Sequence, residues 1–305
     1  MSDFAATDVA FTGIRFVRHN LRTVAVWAGV QLAFTIVVQM AVIATMGPAL
    51  ASLQRFGTRG NPQQSLALLQ NVLPFEGLAI LGSLIFYAIV YATMNRAVLR
   101  PSDRGFAYIR LGMDEVRQFL VLLIWVVLGF FFELILALVV GIMAAVMFGL
   151  GRGGLQVAAP FLVVFVMLVA TFLAWVPFSL CFAQTFDRKR VMPFDSLSLA
   201  GPRYWKMCGA YLLTLVVAFV IWLLGTIITF ALAGAAGGGA TIATLLARPP
   251  VATIGAMFAF PSLVAIVLSA LLTPLLLALL LMPAPEIYRH LSGASDPAFD
   301  PSTFD

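Results

Sequence analysis

Residues 104–117 read RGFAYIRLGMDEVR and run without a break into the apolar stretch that begins at Phe119. Phe106, Ile109, Met113, Val116 and Leu120 recur at steps of three and four, the spacing that puts side chains on one face of an α-helix, while Arg110, Asp114 and Arg117 fall opposite. Together with Arg104, this pattern predicts a helix over 104–118 that lies among lipid headgroups and then turns into a membrane span. The design recurs about 95 residues earlier, where Phe11, Ile14, Arg15, Leu21 and Arg22 align with Phe106, Ile109, Arg110, Val116 and Arg117, and more weakly around Arg203. The chain therefore reads as three copies of one unit, at about 9–103, 104–192 and 193–290, within one polytopic membrane domain spanning 1–305.

Composition agrees. Hydrophobic residues make up 62% of the chain and charged ones 10%, with a mean hydropathy of +1.04, whereas roughly a quarter of the residues of a soluble domain are charged. The expected class is an all-α integral membrane protein. No polar stretch is long enough to fold as a soluble catalytic domain. The net charge of +5 comes from Lys and Arg clustered beside apolar runs, which points to anionic lipid and away from nucleic acid. Cys181 and Cys208 fall at the ends of two spans on one side and are expected to be reduced.

Six spans are expected. The first, 24–46, is long enough to cross a hydrocarbon core of about 30 Å, with Trp27 as an interfacial anchor and Gly47-Pro48 ending it. Because further spans follow, it reads as retained rather than as a cleaved signal peptide. A polar connection over 47–73 leads to span two, 75–99, closed by Asn95, Arg96, Arg100 and Pro101. Span three covers 119–147 and holds Glu133 near its middle. The run 149–154 fits G-x-G-x-x-G, but it joins two spans rather than a strand and a helix and reads as a turn. Span four, 158–185, should kink at Pro177 and stop at Arg188, Lys189 and Arg190. A third surface segment, 193–206, is divided by Gly201-Pro202 and precedes span five, 208–232. The Gly-rich tract 234–240 reads as a loop, 251–259 as interfacial, 261–282 as span six bent near Pro274, and 286–305 as a short polar tail.

Of the 18 Lys and Arg residues, 14 lie before span one, at 96–117, at 188–206 or in the tail, and 4, namely Arg55, Arg59, Arg152 and Arg248, lie in the alternate loops. Basic residues in short loops resist translocation, so both termini and the connections 96–117 and 188–206 are expected in the cytoplasm. The pairs are then parallel repeats, each preceded by an amphipathic interfacial helix.

No P-loop, H-E-x-x-H or G-x-S-x-G is present, and His19 and His290 stand at opposite ends of the chain. No catalytic residue, cofactor or metal ligand is expected. The candidate contacts to anionic lipid are Arg15, Arg18, Arg22, Arg104, Arg110, Arg117, Arg188, Lys189, Arg190, Arg203 and Lys206. The candidate intramembrane polar residues are Glu133, Gln31 and Gln39. Inserting an ionised Glu133 costs about 2.5–3.5 kcal/mol, and it reads either as a proton or substrate site or as a protonated carboxyl donating a hydrogen bond between repeats, to Gln31, Gln39 or a backbone carbonyl.

Residues 196–214, SLSLAGPRYWKMCGAYLLT, and 11–31, FTGIRFVRHNLRTVAVWAGVQ, resemble the serial units of the six-span membrane domain attached to some bacterial glycerophosphodiester phosphodiesterases and found alone in many bacterial inner-membrane proteins. The phosphodiesterase barrel is missing from this chain, so the resemblance implies an inner-membrane address and a lipid-associated role, not that activity. Two functional readings follow: a non-enzymatic inner-membrane protein that organises or regulates a membrane process, or a small permease or lipid transporter with a path between the repeats.

Overall fold

A computed structural model describes residues 4–56, 62–150, 154–236 and 253–293. Among these residues the chain is helical and irregular only, and six helices are long and apolar enough to cross a membrane. Two short helices, α1 (Ala6–Ala10) and α2 (Thr12–His19), precede α3 (Leu21–Phe56) and α4 (Pro62–Leu99). A tight turn at Gly105–Tyr108 leads into α5 (Met113–Leu150) and α6 (Gly154–Trp175). After a 3-10 turn at Val176–Phe178 come α7 (Cys181–Arg188), α8 (Ser196–Ala200) and, past a further 3-10 turn at Gly201–Arg203, α9 (Tyr204–Ala236). The chain then forms α10 (Ile254–Met257), α11 (Phe260–Leu281) and α12 (Pro283–Ser292).

Several boundaries correct the sequence reading. Gly47 closes the apolar span, Leu21–Gly47, but neither it nor Pro48 ends the helix: α3 continues through them to Phe56. The connection 47–73 is mostly helix too, because Pro62 takes the first position of α4, where its missing N–H costs nothing. With 38 residues, α4 extends about 57 Å, well past a hydrocarbon core of about 30 Å. The expected surface helix at 104–118 is not formed. Phe106, Ala107 and Tyr108 have φ of 40°, 56° and 65°, which closes a turn and delays α5 to Met113. The interfacial helix expected from Phe11 to Arg22 is interrupted at Asn20; of its two parts, α2 buries Gly13 and Phe16 and exposes Arg15 and Arg18. The break expected at Pro177 is present, as is the division at Gly201-Pro202. Pro274 lies inside α11.

The tail departs most. Residues 283–292 form α12, because Ile287, Tyr288 and Leu291 share one buried face and Gly293, at φ 66°, closes the helix in a left-handed cap. The Gly-rich tract beyond Ala236, the loop with Arg248, and Arg152 lie outside the described residues.

The spans form two layers, α9–α11–α3 and α4–α5–α6. Of the helix pairs expected from the sequence, α5–α6 and α9–α11 pack together, while α3 packs more extensively on α11 than on α4. Across the layers, α5 and α6 make no extensive contact along α9 or α11 among the described residues, and Tyr204 Oη of α9 donates to the Leu173 carbonyl of α6 at 2.9 Å. One end is closed instead by the short helices α1, α2, α7, α8 and α12. There Val9, Leu180, Phe186, Met207, Ile287 and Tyr288 make a core that excludes water.

Gly13 sets how closely α2 approaches α11: a Cβ there would meet the carbonyl oxygen of Ala278 at 2.5 Å and the Cα of Leu279 at 2.6 Å. Backbone cannot rotate aside, so Gly13→Ala is expected to push α2 off α11 and destabilise the protein by about 1–3 kcal/mol. Gly29, in α3, has nothing within 4 Å of such a Cβ, and Gly29→Ala should be neutral or slightly stabilising. Thermal unfolding of the two variants in detergent checks this; equal midpoints would show that α2 does not pack as described.

Candidate functional site: a buried charge network above an aromatic cavity

Arg96 lies in the last turn of α4 and is 2% exposed. A buried guanidinium requires partners on every side, and it has them. Its Nη2 donates to Glu115 Oε1 at 2.7 Å and its Nη1 to the carbonyl oxygen of Tyr108 at 2.6 Å. Asp103 and Asp114 each stand 3.9 Å away. Arg100 is 3.9 Å from Asp114, Arg117 pairs with Asp114 at 2.8 Å, and Arg110 pairs with Asp103. The ring of Phe186 on α7 lies under both arginines, 5.5 Å from the Arg96 guanidinium carbon and 4.7 Å from that of Arg100.

The left-handed turn depends on this network. Each non-glycine residue in that region costs roughly 1–2 kcal/mol, and three stand in a row. Arg96 holds the Tyr108 carbonyl from α4, and Trp27 Nε1 on α3 donates to the Ala107 carbonyl at 2.8 Å. Phe16 of α2 stacks on Trp27 at 5.4 Å between centroids. The turn is thus gripped by three helices that are remote in sequence.

Directly inside this layer is a cavity of about 390 Å³, in the size range of small-molecule sites. Six aromatic rings, of Tyr91, Trp125, Trp175, Phe178, Phe182 and Tyr211, dominate its lining, and α11 and α12 close it with Leu280, Leu281 and Ala284. The interruption at Pro177 is what brings Phe178 and Ser179 to the wall. Tyr211 Oη donates to Ser179 Oγ at 2.7 Å, Trp125 Nε1 to Cys181 Sγ at 3.1 Å, and Tyr91 stacks on Phe182 at 4.0 Å. Asn95 also lines the cavity, is 2% exposed, and has no hydrogen-bond partner for its Nδ2. The lining holds no charged side chain.

The residues singled out in the sequence fall into separate places. Arg15, Arg18, Arg22, Arg188, Lys189 and Arg190 are exposed at the closed end, Lys206 is exposed, and Arg203 is half-buried. Arg104 donates to the Pro101 carbonyl, and Arg110 and Arg117 are engaged with acids. Glu133 does not reach Gln31 or Gln39: it accepts a hydrogen bond from Thr171 Oγ1 of α6 at 2.8 Å, because α5 packs on α6 and not on α3. Gln31 donates to Thr35 one turn along its own helix. Neither Glu133 nor Gln39 lines the cavity. Sequence reasoning placed Asn95 and Arg96 at the end of a span. Their signal was two adjacent polar residues, one charged, inside the helical run before Pro101.

Removing one partner of a buried ion pair leaves the other uncompensated, at about 3–5 kcal/mol. Arg96→Met and Glu115→Met are each expected to lower the unfolding midpoint in detergent sharply, while the double variant should be no worse than either single one; additive losses would show that the two do not act as a pair. At Glu133, Gln retains an acceptor for Thr171 and Leu does not, so Glu133→Gln should leave the midpoint within about 0.6 kcal/mol of the parent, and a loss as large as that of Glu133→Leu would mean that the ionised form is needed. Comparison with protein-family models, curated proteins and solved structures finds no match to this chain, so the chemistry of the site is read from its residues.

Proposed function

We propose that this is a non-enzymatic protein of a bacterial inner membrane that organises or regulates a lipid-associated process, gathering anionic headgroups at its closed end. That end faces the cytoplasm in this reading, as do both termini, and the three serial units each deliver basic residues to it. The carrying observation is an imbalance of charge. Asp103, Asp114, Glu115 and Glu286 are engaged in ion pairs, while Arg15, Arg18, Arg22, Arg188, Lys189 and Arg190 are exposed. Anionic lipid supplies the missing counter-charge, at about 1 kcal/mol per basic residue near the surface. The amphipathic face of α2, with Phe16 inward and Arg15 and Arg18 outward, suits a helix at headgroup level. The resemblance of 11–31 and 196–214 to the membrane domain that accompanies glycerophosphodiester phosphodiesterases supports the same address and a role close to lipid.

Protein purified in mild detergent is expected to retain phosphatidylglycerol in preference to phosphatidylcholine when the bound lipid is extracted and quantified. Replacing Arg18, Arg22, Lys189 and Arg190 by Gln together should weaken that preference more than tenfold, as should high salt, which screens exposed charges over about 3 Å at 1 M. Equal retention of the two lipids, unchanged by salt, would overturn the proposal. Reporter fusions after residue 305 and within 55–62 test the orientation, with the first expected in the cytoplasm and the second outside it.

A further inference from the structure

We infer that the cavity beneath the charge network binds a neutral amphiphile, a hydrocarbon body bearing one uncharged oxygen function such as a long-chain or isoprenoid alcohol, drawn from the surrounding bilayer.

Three observations fix the chemical class. The walls are aromatic and aliphatic, so most of the ligand must be hydrocarbon, whose transfer into such a lining is favourable and whose packing against rings adds dispersion contacts. The lining has no charged residue, and the nearest cation, Arg96, is already satisfied by Glu115, the Tyr108 carbonyl and two further carboxylates. A carboxylate or phosphate placed there would lose its hydration without a counter-charge. The polar function therefore has to be neutral. Asn95 lines the cavity with its Nδ2 buried and without a partner, so a rotation of its amide presents that donor to the ligand. An unmade hydrogen bond of this kind costs about 1–3 kcal/mol, and a hydroxyl or carbonyl oxygen in the cavity relieves it. The hydroxyl pair of Tyr211 and Ser179 can take a proton donor from the same ligand by rotating.

The route follows from the packing. Because α5 and α6 make no extensive contact along α9 or α11 among the described residues, the inferred route to the cavity runs laterally between these helices. A lipid-soluble molecule enters sideways without passing Arg96. This inference is separate from the reading of the exposed cations, and either can fail alone.

The test uses the full chain in detergent and a diazirine derivative of dodecanol as probe. After illumination, peptide mapping is expected to find the label concentrated in 91–95, 122–126 and 175–182. Unlabelled dodecanol should displace it about tenfold more effectively than dodecanoate held in its ionised form, and phosphatidylglycerol should not displace it. Leu122→Trp, which fills the cavity, is expected to abolish labelling of these segments. Asn95→Leu, of similar size but without the donor, should weaken displacement by dodecanol about fivefold, the worth of one hydrogen bond. Should the filled variant fail to fold, the competitor series and Asn95→Leu still decide. Label spread over the outer faces of α5 and α9 and unaffected by dodecanol would overturn the inference, as would dodecanoate or phosphatidylglycerol competing as well as the alcohol.

Discussion

Everything at the closed end of this bundle is built around the burial of one guanidinium. Arg96 sits where α4 would otherwise bury an apolar residue, and the desolvation of an ion of that size is an effective cost of several kcal/mol. The protein offsets it by bringing Glu115 from α5, Asp103 from the following loop, the Tyr108 carbonyl from a left-handed turn and the face of Phe186 from α7. Each partner belongs to a different element, so satisfying one side chain fixes four elements relative to α4. Apolar packing alone could not select this arrangement within a membrane, because lipid tails and side chains are equally good apolar neighbours there.

The same constraint explains why the segment 104–112 is a turn. As a free peptide its spacing favours an amphipathic helix. In the protein, a helix over 104–118 would direct the Tyr108 carbonyl along its own axis to a backbone N–H one turn further on, and Arg96 would lose that acceptor. Three left-handed residues together cost several kcal/mol, but an unpartnered buried arginine costs more, and Trp27 adds a second bond to the turn at the Ala107 carbonyl. The tertiary requirement overrides the local one.

That conflict marks what could be read in advance. The six spans, the break at Pro177, the stop at Arg188 and the clustering of basic residues follow from composition and local rules, because hydrocarbon length, the missing N–H of proline and the cost of moving Arg across a bilayer act on each segment separately. The helix α12 was hidden by its prolines and charges: Glu286, Arg289 and His290 pair among themselves, leaving Ile287, Tyr288 and Leu291 to be buried, which the charges had masked as a polar tail. The partner of Glu133 was unreadable, since it depends on which helices are neighbours, and α3 chooses α11 over α4. The cavity is of the same kind: its lining draws on α4, α5, α6, α7, α9, α11 and α12, and no single stretch of sequence contains more than a fragment of it.

The two layers are joined most extensively at the closed end, and α3 also meets α4 along the spans, where Phe34 stacks on Phe86 at 4.0 Å. The ion pairs, the short helices and the core around Phe186 and Tyr288 act as a clamp, while Leu134 and Leu138 on α5 and Leu215 and Phe219 on α9 remain exposed below it. The cavity draws its lining from both layers, so a molecule lodged among Trp125, Trp175 and Tyr211 would touch both at once and tie their relative position to occupancy. Such coupling would need no polar path across the membrane, only a ligand that bridges the two layers.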